Sequence, residues 1–299
     1  MKIGFSGLGK MGSQMVVRLL RDDHEVIVMN RSPGPAQKAV LEGARLASNP
    51  QELVNALDPV IVWLMLPDII VAEHLKKILP LAPKGSIFID GGNSDFRNTQ
   101  VLSKFVHSSG NFLIDVGTSG GILGLENGFS MMVGGDHKAV KQIKPVLNSL
   151  AAPQGWDYFG ESGSGHYVKM VHNAIEYGMM ESYAEGYRML EEGPFKKLNL
   201  PTAGRVWQNG SIIQSLLNQL TVEALTENPN LEGIEGRVAE SGEARWTIET
   251  AKELGIPLPA IEAAFDVRLK SQIGDVNFST KLLAAMRNKF GGHSSNPEL

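Results

Sequence analysis

Lys169, His172, Asn173 and Glu176 stand at i, i+3, i+4 and i+7 within Gly163 to Gly178, GSGHYVKMVHNAIEYG. In an α-helix those offsets share one face, so an ammonium, an imidazole, an amide and a carboxylate would line a single stripe. As a solvated face with a Lys-to-Glu pair the stripe would be worth little, but such a face rarely has Val168, Met170, Val171 and Ile175 on its flanks. The chemistry open to these groups is alcohol oxidation. Removing hydride from an alcohol needs a base for the hydroxyl proton, and a lysine serves if burial brings its pKa from about 10.4 toward about 7 to 8. Once protonated, the same lysine polarises the new carbonyl. If that ketone lies β to a carboxylate, carbon dioxide leaves without a metal, and an acid at Glu176 protonates the resulting enol carbon.

Such a reaction needs a hydride acceptor, and the amino end of the chain supplies elements to hold one. Lys2 to Ser6 reads as a buried strand running into Gly7-Leu8-Gly9-Lys10-Met11-Gly12, which opens an amphipathic helix through about Arg21; a second strand follows at Glu25 to Met29. In that context G-x-G-x-x-G has a physical need for each glycine. Gly7 makes the turn, Gly9 admits a pyrophosphate to the backbone, Gly12 permits close helix packing, and the helix amino end favours the negative charge. The second strand ends in Met29-Asn30-Arg31-Ser32 instead of the Asp or Glu that bonds an NAD ribose. An Arg with two small donors suits a 2′-phosphate, so NADP is the expected cofactor and NAD the alternative.

Further strand-like runs at Val60 to Leu66, Ser86 to Asp90 and Phe112 to Asp115, with helical stretches such as Ile69 to Ile78, continue the βα alternation of a doubly wound Rossmann-type α/β sheet. Phe129 to Val133 and Trp156 to Phe159 read as added strands around a helix from about Lys138 to Leu150. Three loops follow strand ends, where such folds bind ligands: Met65-Leu66-Pro67-Asp68, Gly91-Gly92-Asn93-Ser94 and Gly117-Thr118-Ser119-Gly120-Gly121. The last matches the G-x-S-x-G elbow of serine hydrolases. That elbow runs from strand into helix, whereas ILGLENG and a β-like run follow Gly121, and no oxyanion-type glycine repeat after a histidine is present. Ser119 and the nearby amides are better placed to meet a substrate oxygen.

Beyond Gly160 the pattern becomes helical. Glu161 to Gly165 reads as a flexible joint, with helices near His166 to Glu192, Ala203 to Asn209, Ser211 to Thr226, Gly236 to Leu254, Pro259 to Ile273 and Ser279 to Asn288. A polar tail from Phe290 to Leu299 follows, in which Gly291, Gly292 and Pro297 should prevent further helix. The expected domains are therefore residues 1–160 for the dinucleotide, 161–289 as an all-α substrate and dimerisation domain, and 290–299 as a tail reaching a substrate site. The nicotinamide would face the Lys169 stripe across the cleft between domains.

Composition bounds the rest. A chain of 299 residues with 42% hydrophobic and 20% charged residues is ordinary globular material, and a net charge of −4 without a basic cluster gives no reason to expect nucleic acid. The absence of cysteine closes disulfide, thiolate and Cys-zinc chemistry. No metal site and no membrane span are expected, and the amino terminus lacks a signal-peptide pattern, so the expected location is cytoplasmic.

These residues together carry a family resemblance. GLGKMG, NRS after the second strand, IDGGNSDFRNT at Ile89 to Thr99, DVGTSGGILGLENG at Asp115 to Gly128 and GHYVKMVHNAIEYG at Gly165 to Gly178 are similar to the decarboxylating 6-phosphogluconate dehydrogenases, in their short-chain branch. The wider β-hydroxyacid dehydrogenases share the glycine loop, the SGG turn and a lysine followed four residues later by asparagine, but not HNxIEY with its glutamate. The resemblance implies oxidation of 6-phosphogluconate to ribulose 5-phosphate and carbon dioxide, as in the pentose phosphate pathway, with Lys169 as base and Glu176 as acid. It implies cofactor contacts from Gly7, Gly9, Lys10, Met11, Gly12, Asn30, Arg31, Ser32, Leu66, Pro67 and Asn93. Substrate contacts would come from Asn93, Ser119, Gly120, Gly121, His172 and Asn173, with Tyr177 reaching the sugar phosphate. Arg287 and His293 belong to a segment similar to the family's R-x-x-F-G-x-H tail, which can come from a neighbouring subunit and so favours a homodimer or homotetramer.

One departure bears on substrate. The family's usual arginine in I-I-R-S is replaced in Ile212-Ile213-Gln214-Ser215, and Trp207 is followed by Gln208-Asn209 instead of a basic pair. Each lost charge-assisted bond is worth up to roughly 3 kcal/mol. Arg287 remains, and Arg245 in GEARWT is the candidate to compensate. Two alternatives stay open: a non-decarboxylating β-hydroxyacid dehydrogenase acting on a small or unphosphorylated acid, which has no use for Glu176, and a nucleotide-sensing protein with a vestigial site.

Overall fold

The strands β1 (Lys2–Ser6), β2 (Glu25–Met29), β4 (Ile61–Leu64) and β5 (Ile87–Asp90) have mainly apolar, buried centres, the pattern of strands covered on both faces. In the computed structural model, which describes residues 1–292, they join β3 (Arg45–Leu46), β6 (Phe112–Ser119), β7 (Phe129–Gly135) and β8 (Ala151–Gly160) in one sheet of order β3-β2-β1-β4-β5-β6-β7-β8. Side-chain alternation divides the core. Ile3, Phe5, Val28, Trp63 and Ile89 meet Met15 and Leu19 of α1 (Lys10–Arg21), Ala36 of α2 (Pro33–Leu41), and Ile143 and Leu147 of α7 (His137–Leu150) on one face. Ile27, Val62, Leu64 and Phe88 meet α3 (Pro50–Asn55), α4 (Asp68–Ile78) and α5 (Phe96–Ser108) on the other.

The first six strands in this order run parallel, as a doubly wound sheet requires, but the last two do not follow them. β6 pairs with β7 antiparallel, and β8 returns parallel to β7 through α7. The cause is the link after β6: the 3-10 turn Gly121–Leu123 and the one-turn helix α6 (Gly124–Asn127) are too short for a parallel crossover. Gly117 to Ser119, expected as loop, are instead strand, because Ser130 to Met132 of β7 provide their partners. ILGLENG does therefore enter a helical turn, contrary to the sequence expectation, though only briefly before β7 begins.

The expected joint at Glu161 to Gly165 is not loose. α8 (Ser164–Glu192) starts inside it, and the buried Asp115 carboxylate accepts hydrogen bonds from the backbone N–H of Gly163 at 2.8 Å and of His166 at 3.1 Å. A Cβ on Gly165 would lie 2.4 Å from the Met132 carbonyl, so only glycine lets the helix start this close to the sheet. The chain divides into two compact units, Met1–Met170 and the remainder from Val171, and the division falls inside α8.

The second unit is helical: α9 (Leu200–Gln208), α10 (Leu216–Glu227), α11 (Glu243–Leu254), α12 (Pro259–Gln272) and α13 (Phe278–Gly291) follow the later turns of α8. Two starts come later than the periodicity suggested. Ser215 caps α10 by accepting from the Asn218 N–H, and Gly242, at φ 101°, precedes α11. α13 also runs past Asn288 and through Gly291, ending at the left-handed Gly292. Met180, Tyr187, Leu282, Leu283 and Met286 centre this unit's core. Among the described residues no helix is long and apolar enough to cross a membrane.

Candidate active site

The parallel register gathers the expected cofactor residues at one edge of the first unit. Ser6 pairs with Met29 and Leu64, and Leu64 with Asp90, so the segments that follow β1, β2, β4 and β5 leave the sheet side by side. Gly7 sits at φ 99°, where a Cβ would come 2.2 Å from the Met65 carbonyl; a Cβ on Gly12 would come equally close to the Gly7 carbonyl. Gly9, by contrast, would meet nothing within 4 Å, and as the amino-terminal residue before α1 it has no side-chain cap. Open space in front of uncapped N–H groups at a helix amino end fits a dinucleotide's diphosphate. Lys10 is exposed at the start of α1 and Met11 is half-buried.

Asn30 is committed locally: its Oδ1 accepts from the Leu8 N–H at 2.9 Å and its Nδ2 donates to the Ser32 carbonyl at 2.9 Å. It ties the glycine loop to the loop after β2. Arg31 and Ser32 beyond it are exposed, as are Pro67 and Asn93, while Leu66 is half-buried. Asn93 is flanked by residues held from below. Asp90, fully buried, accepts from the Gly92 N–H at 3.1 Å and the Ser94 hydroxyl at 2.8 Å, and burial raises its pKa above the usual carboxylate value despite attraction from His166. Ser119 closes β6 half-buried, and Gly120 and Gly121 take φ values of 135° and 52° that few other residues adopt.

Lys169 is 5% exposed and belongs to this same unit. Its Cβ fills the space above Gly117, where an added Cβ would lie 2.2 Å away, so β6 and α8 touch through a glycine. His166, one turn earlier and 1% exposed, has its Nδ1 2.7 Å from the Thr99 hydroxyl of α5. An aliphatic stem packed against a strand, on a helix pinned at its start, has little freedom to move.

The second unit holds the rest of the stripe. Asn173 and Tyr177 are buried, His172 and Glu176 half-buried. The guanidinium of Arg268, 2% exposed, lies 3.3 Å over the Tyr177 ring and donates to the Met180 sulfur at 3.4 Å. Burial brings Arg268 down to about 10, with attraction from Tyr177, Glu176 and Glu181 opposing and Arg287 adding to the fall. Arg287 is also lowered by burial, against attraction from Tyr177, Glu176 and Glu243. Glu181 is pushed up to about 7, by burial first and by Glu185 second. Two arginines, a tyrosine and several carboxylates thus share one neighbourhood. Gln214 is exposed, and Arg245, the candidate to compensate for it, donates from Nε and Nη2 to Glu240, at 3.1 and 2.8 Å. His293 lies outside the described residues. Among those residues no cluster of His, Cys, Asp and Glu could hold a metal ion.

Asp90, Asp115, Arg268 and Glu243 were not singled out from the sequence. For the two aspartates a signal exists, since each is a carboxylate inside an otherwise apolar buried run. Arg268 and Glu243 sit in ordinary helical patterns and have no such mark.

Comparison with known proteins agrees across the chain. The model for the NAD-binding domain of 6-phosphogluconate dehydrogenase matches residues 2–165, and that for the 6-phosphogluconate dehydrogenase C-terminal domain matches residues 165–295. A Bacillus subtilis protein provisionally named a 6-phosphogluconate dehydrogenase is 38% identical over 99% of both chains. A Haloferax volcanii protein named as an NAD(+)-dependent, decarboxylating 6-phosphogluconate dehydrogenase is 37% identical over 98% of both. Among solved structures, Plasmodium falciparum 6-phosphogluconate dehydrogenase, studied in apo form and with NADP+ and 6-phosphogluconate, has a TM-score of 0.83 at 29% identity, over 96% of this chain and 70% of that one.

Proposed function

This chain belongs to the 6-phosphogluconate dehydrogenase family, and from that premise we propose that it converts 6-phosphogluconate to ribulose 5-phosphate and carbon dioxide with reduction of NADP. It is an oxidoreductase with a NAD-binding domain at residues 2–165. When bound, the nicotinamide supplies the hydride acceptor. Lys169 takes the proton of the substrate hydroxyl and then returns it to the oxygen of the β-keto acid, drawing electron density from the breaking carbon–carbon bond. Glu176 delivers a proton to the carbon that lost carbon dioxide. The observation that supports this reading most is the rigid seat of Lys169 against Gly117, with Glu176 two helical turns further along α8. Asn93, Ser119, Gly120, Gly121, His172, Asn173, Tyr177, Arg287 and His293 are the proposed substrate contacts, in a homodimer or homotetramer.

NADP is proposed over NAD because Arg31 is exposed just beyond β2 and no carboxylate ends that strand. The Haloferax relative's NAD(+) dependence makes this point worth direct measurement: equal kcat/KM with the two cofactors would remove the role given to Arg31. The reaction itself is tested by incubating the protein with 6-phosphogluconate and NADP and measuring reduced cofactor and carbon dioxide together. Equal amounts are expected. Reduced cofactor without carbon dioxide would replace the proposal with a plain β-hydroxyacid dehydrogenase, and no turnover of any sugar acid would replace it with a nucleotide sensor.

A further inference from the structure

The amide of Asn173 is held from two sides in the second unit. Its Nδ2 donates to Oε1 of Glu243 at 2.8 Å, and its Oδ1 lies 2.9 Å from Nδ1 of His172. Glu243 is 1% exposed and Asn173 9%, so neither can exchange these contacts freely for bulk water. The order of donors and acceptors along this chain follows from chemistry. A carboxylate has no proton to give, so the NH2 of Asn173 must face Glu243 and its carbonyl must face His172. That carbonyl has only lone pairs, so Nδ1 of His172 must carry a proton. In a neutral imidazole Nε2 then keeps its lone pair and acts as an acceptor.

Two observations favour a carboxylate at the head of this chain. Glu243 is the first residue of α11, where the helix dipole favours negative charge, and it attracts the neighbouring Arg287 guanidinium. Its second oxygen, Oε2, is buried with no hydrogen-bond partner, so packing alone does not account for the group. A buried carboxylate that uses one oxygen on a single amide makes sense if the direction of that amide matters.

We propose that Glu243 is a positioning residue which, through Asn173, fixes His172 in the Nδ1-protonated tautomer, so that His172 presents Nε2 as an acceptor to a hydroxyl of the sugar-acid substrate. The choice of a hydroxyl follows from the tautomer, because a carboxylate or a phosphate oxygen would need a donor there. The ligand half of this inference rests on the proposed reading of His172 as a substrate contact. The tautomer half does not.

The test is long-range proton–nitrogen NMR on the full chain carrying 15N-histidine, with the His172 signals assigned by their loss in His172→Asn. The wild type at neutral pH is expected to show His172 protonated at Nδ1 and unprotonated at Nε2. Glu243→Leu removes the acceptor and should move His172 toward the Nε2-protonated form, which neutral imidazole otherwise prefers. Glu243→Gln keeps a carbonyl for the Asn173 amide and should retain the wild-type signature; it also keeps the test decisive if the leucine variant folds poorly. In kinetics, Glu243→Leu should raise KM for 6-phosphogluconate at least about tenfold with KM for NADP unchanged, and Glu243→Gln should recover most of the loss. An Nε2-protonated or doubly protonated His172 in the wild type would overturn the proposal, as would an unchanged tautomer in a folded Glu243→Leu. A shifted tautomer with unchanged sugar-acid KM would overturn the hydroxyl-acceptor role. If the wild type turns over no sugar acid, the functional reading fails while the NMR result still decides whether Glu243 sets the tautomer.

Discussion

The two ends of α8 handle charge in opposite ways. In the turns before Val171, and in the loop after β5, carboxylates are answered by backbone and hydroxyl donors: Asp115 takes the N–H groups of Gly163 and His166, and Asp90 takes the Gly92 N–H and the Ser94 hydroxyl. Glycines at 117 and 165 let the helix lie against the strands. In the later turns, Glu176 and Tyr177 lie near the Arg268 and Arg287 guanidinium groups, with Arg268 stacked on the tyrosine, while Glu181 is shifted by burial and by Glu185 against attraction from Arg268. Backbone donors are fixed in place, whereas guanidinium and carboxylate charges respond to one another and to pH. The first end is therefore built to hold Lys169 in position, and the second to set proton affinities.

That contrast can be broken at several points. Lys169→Met should have the largest effect, a fall in kcat of about a thousandfold, as expected for loss of a base, with cofactor affinity unchanged in fluorescence titration. At the other end, the response should be to pH. Glu181 has its pKa raised from 4.5 to about 7 in the folded state. The stability it contributes is present below the unfolded value and is lost as pH rises through about 7, an effect on the order of 3 kcal/mol. Glu181→Gln cannot titrate, so its unfolding free energy relative to wild type should improve by that order between pH 4.5 and 8; a difference independent of pH would remove the contrast. Glu176→Gln should lower carbon dioxide release about a hundredfold while leaving NADP binding nearly unaltered. Gly117→Ala must displace the Lys169 stem and should cost about 2 kcal/mol in denaturant unfolding, together with a fall in kcat. Asp115→Asn, which keeps one acceptor at the start of α8, should cost about 1 kcal/mol and change KM values little. If Asp115→Asn proved more harmful to kcat than Gly117→Ala, position would not be the property that the first end protects.

Much of this arrangement was legible beforehand. Apolar runs such as Lys2 to Ser6 and Glu25 to Met29 coincide with β1 and β2, because strands buried on both faces have few alternatives. The glycine loop and the Lys169 stripe could be read for a similar reason: each depends on neighbours within a few residues. The direction of β7 could not, since an apolar run does not record which way it pairs. Nor could the partner that Arg245 takes, Glu240.

By itself, the sequence determined what local spacing determines: the Rossmann-type start, the amphipathic helices, the family, and four polar groups on one helical face. Tertiary structure decided what surrounds those groups. Gly117 is separated from Lys169 by 52 positions, Asn173 from Glu243 by 70, and Tyr177 from Arg268 by 91, a range over which periodicity carries no information. Hydrogen-bond direction, burial and charge attraction depend on atoms within a few ångströms, and only folding brings those atoms together.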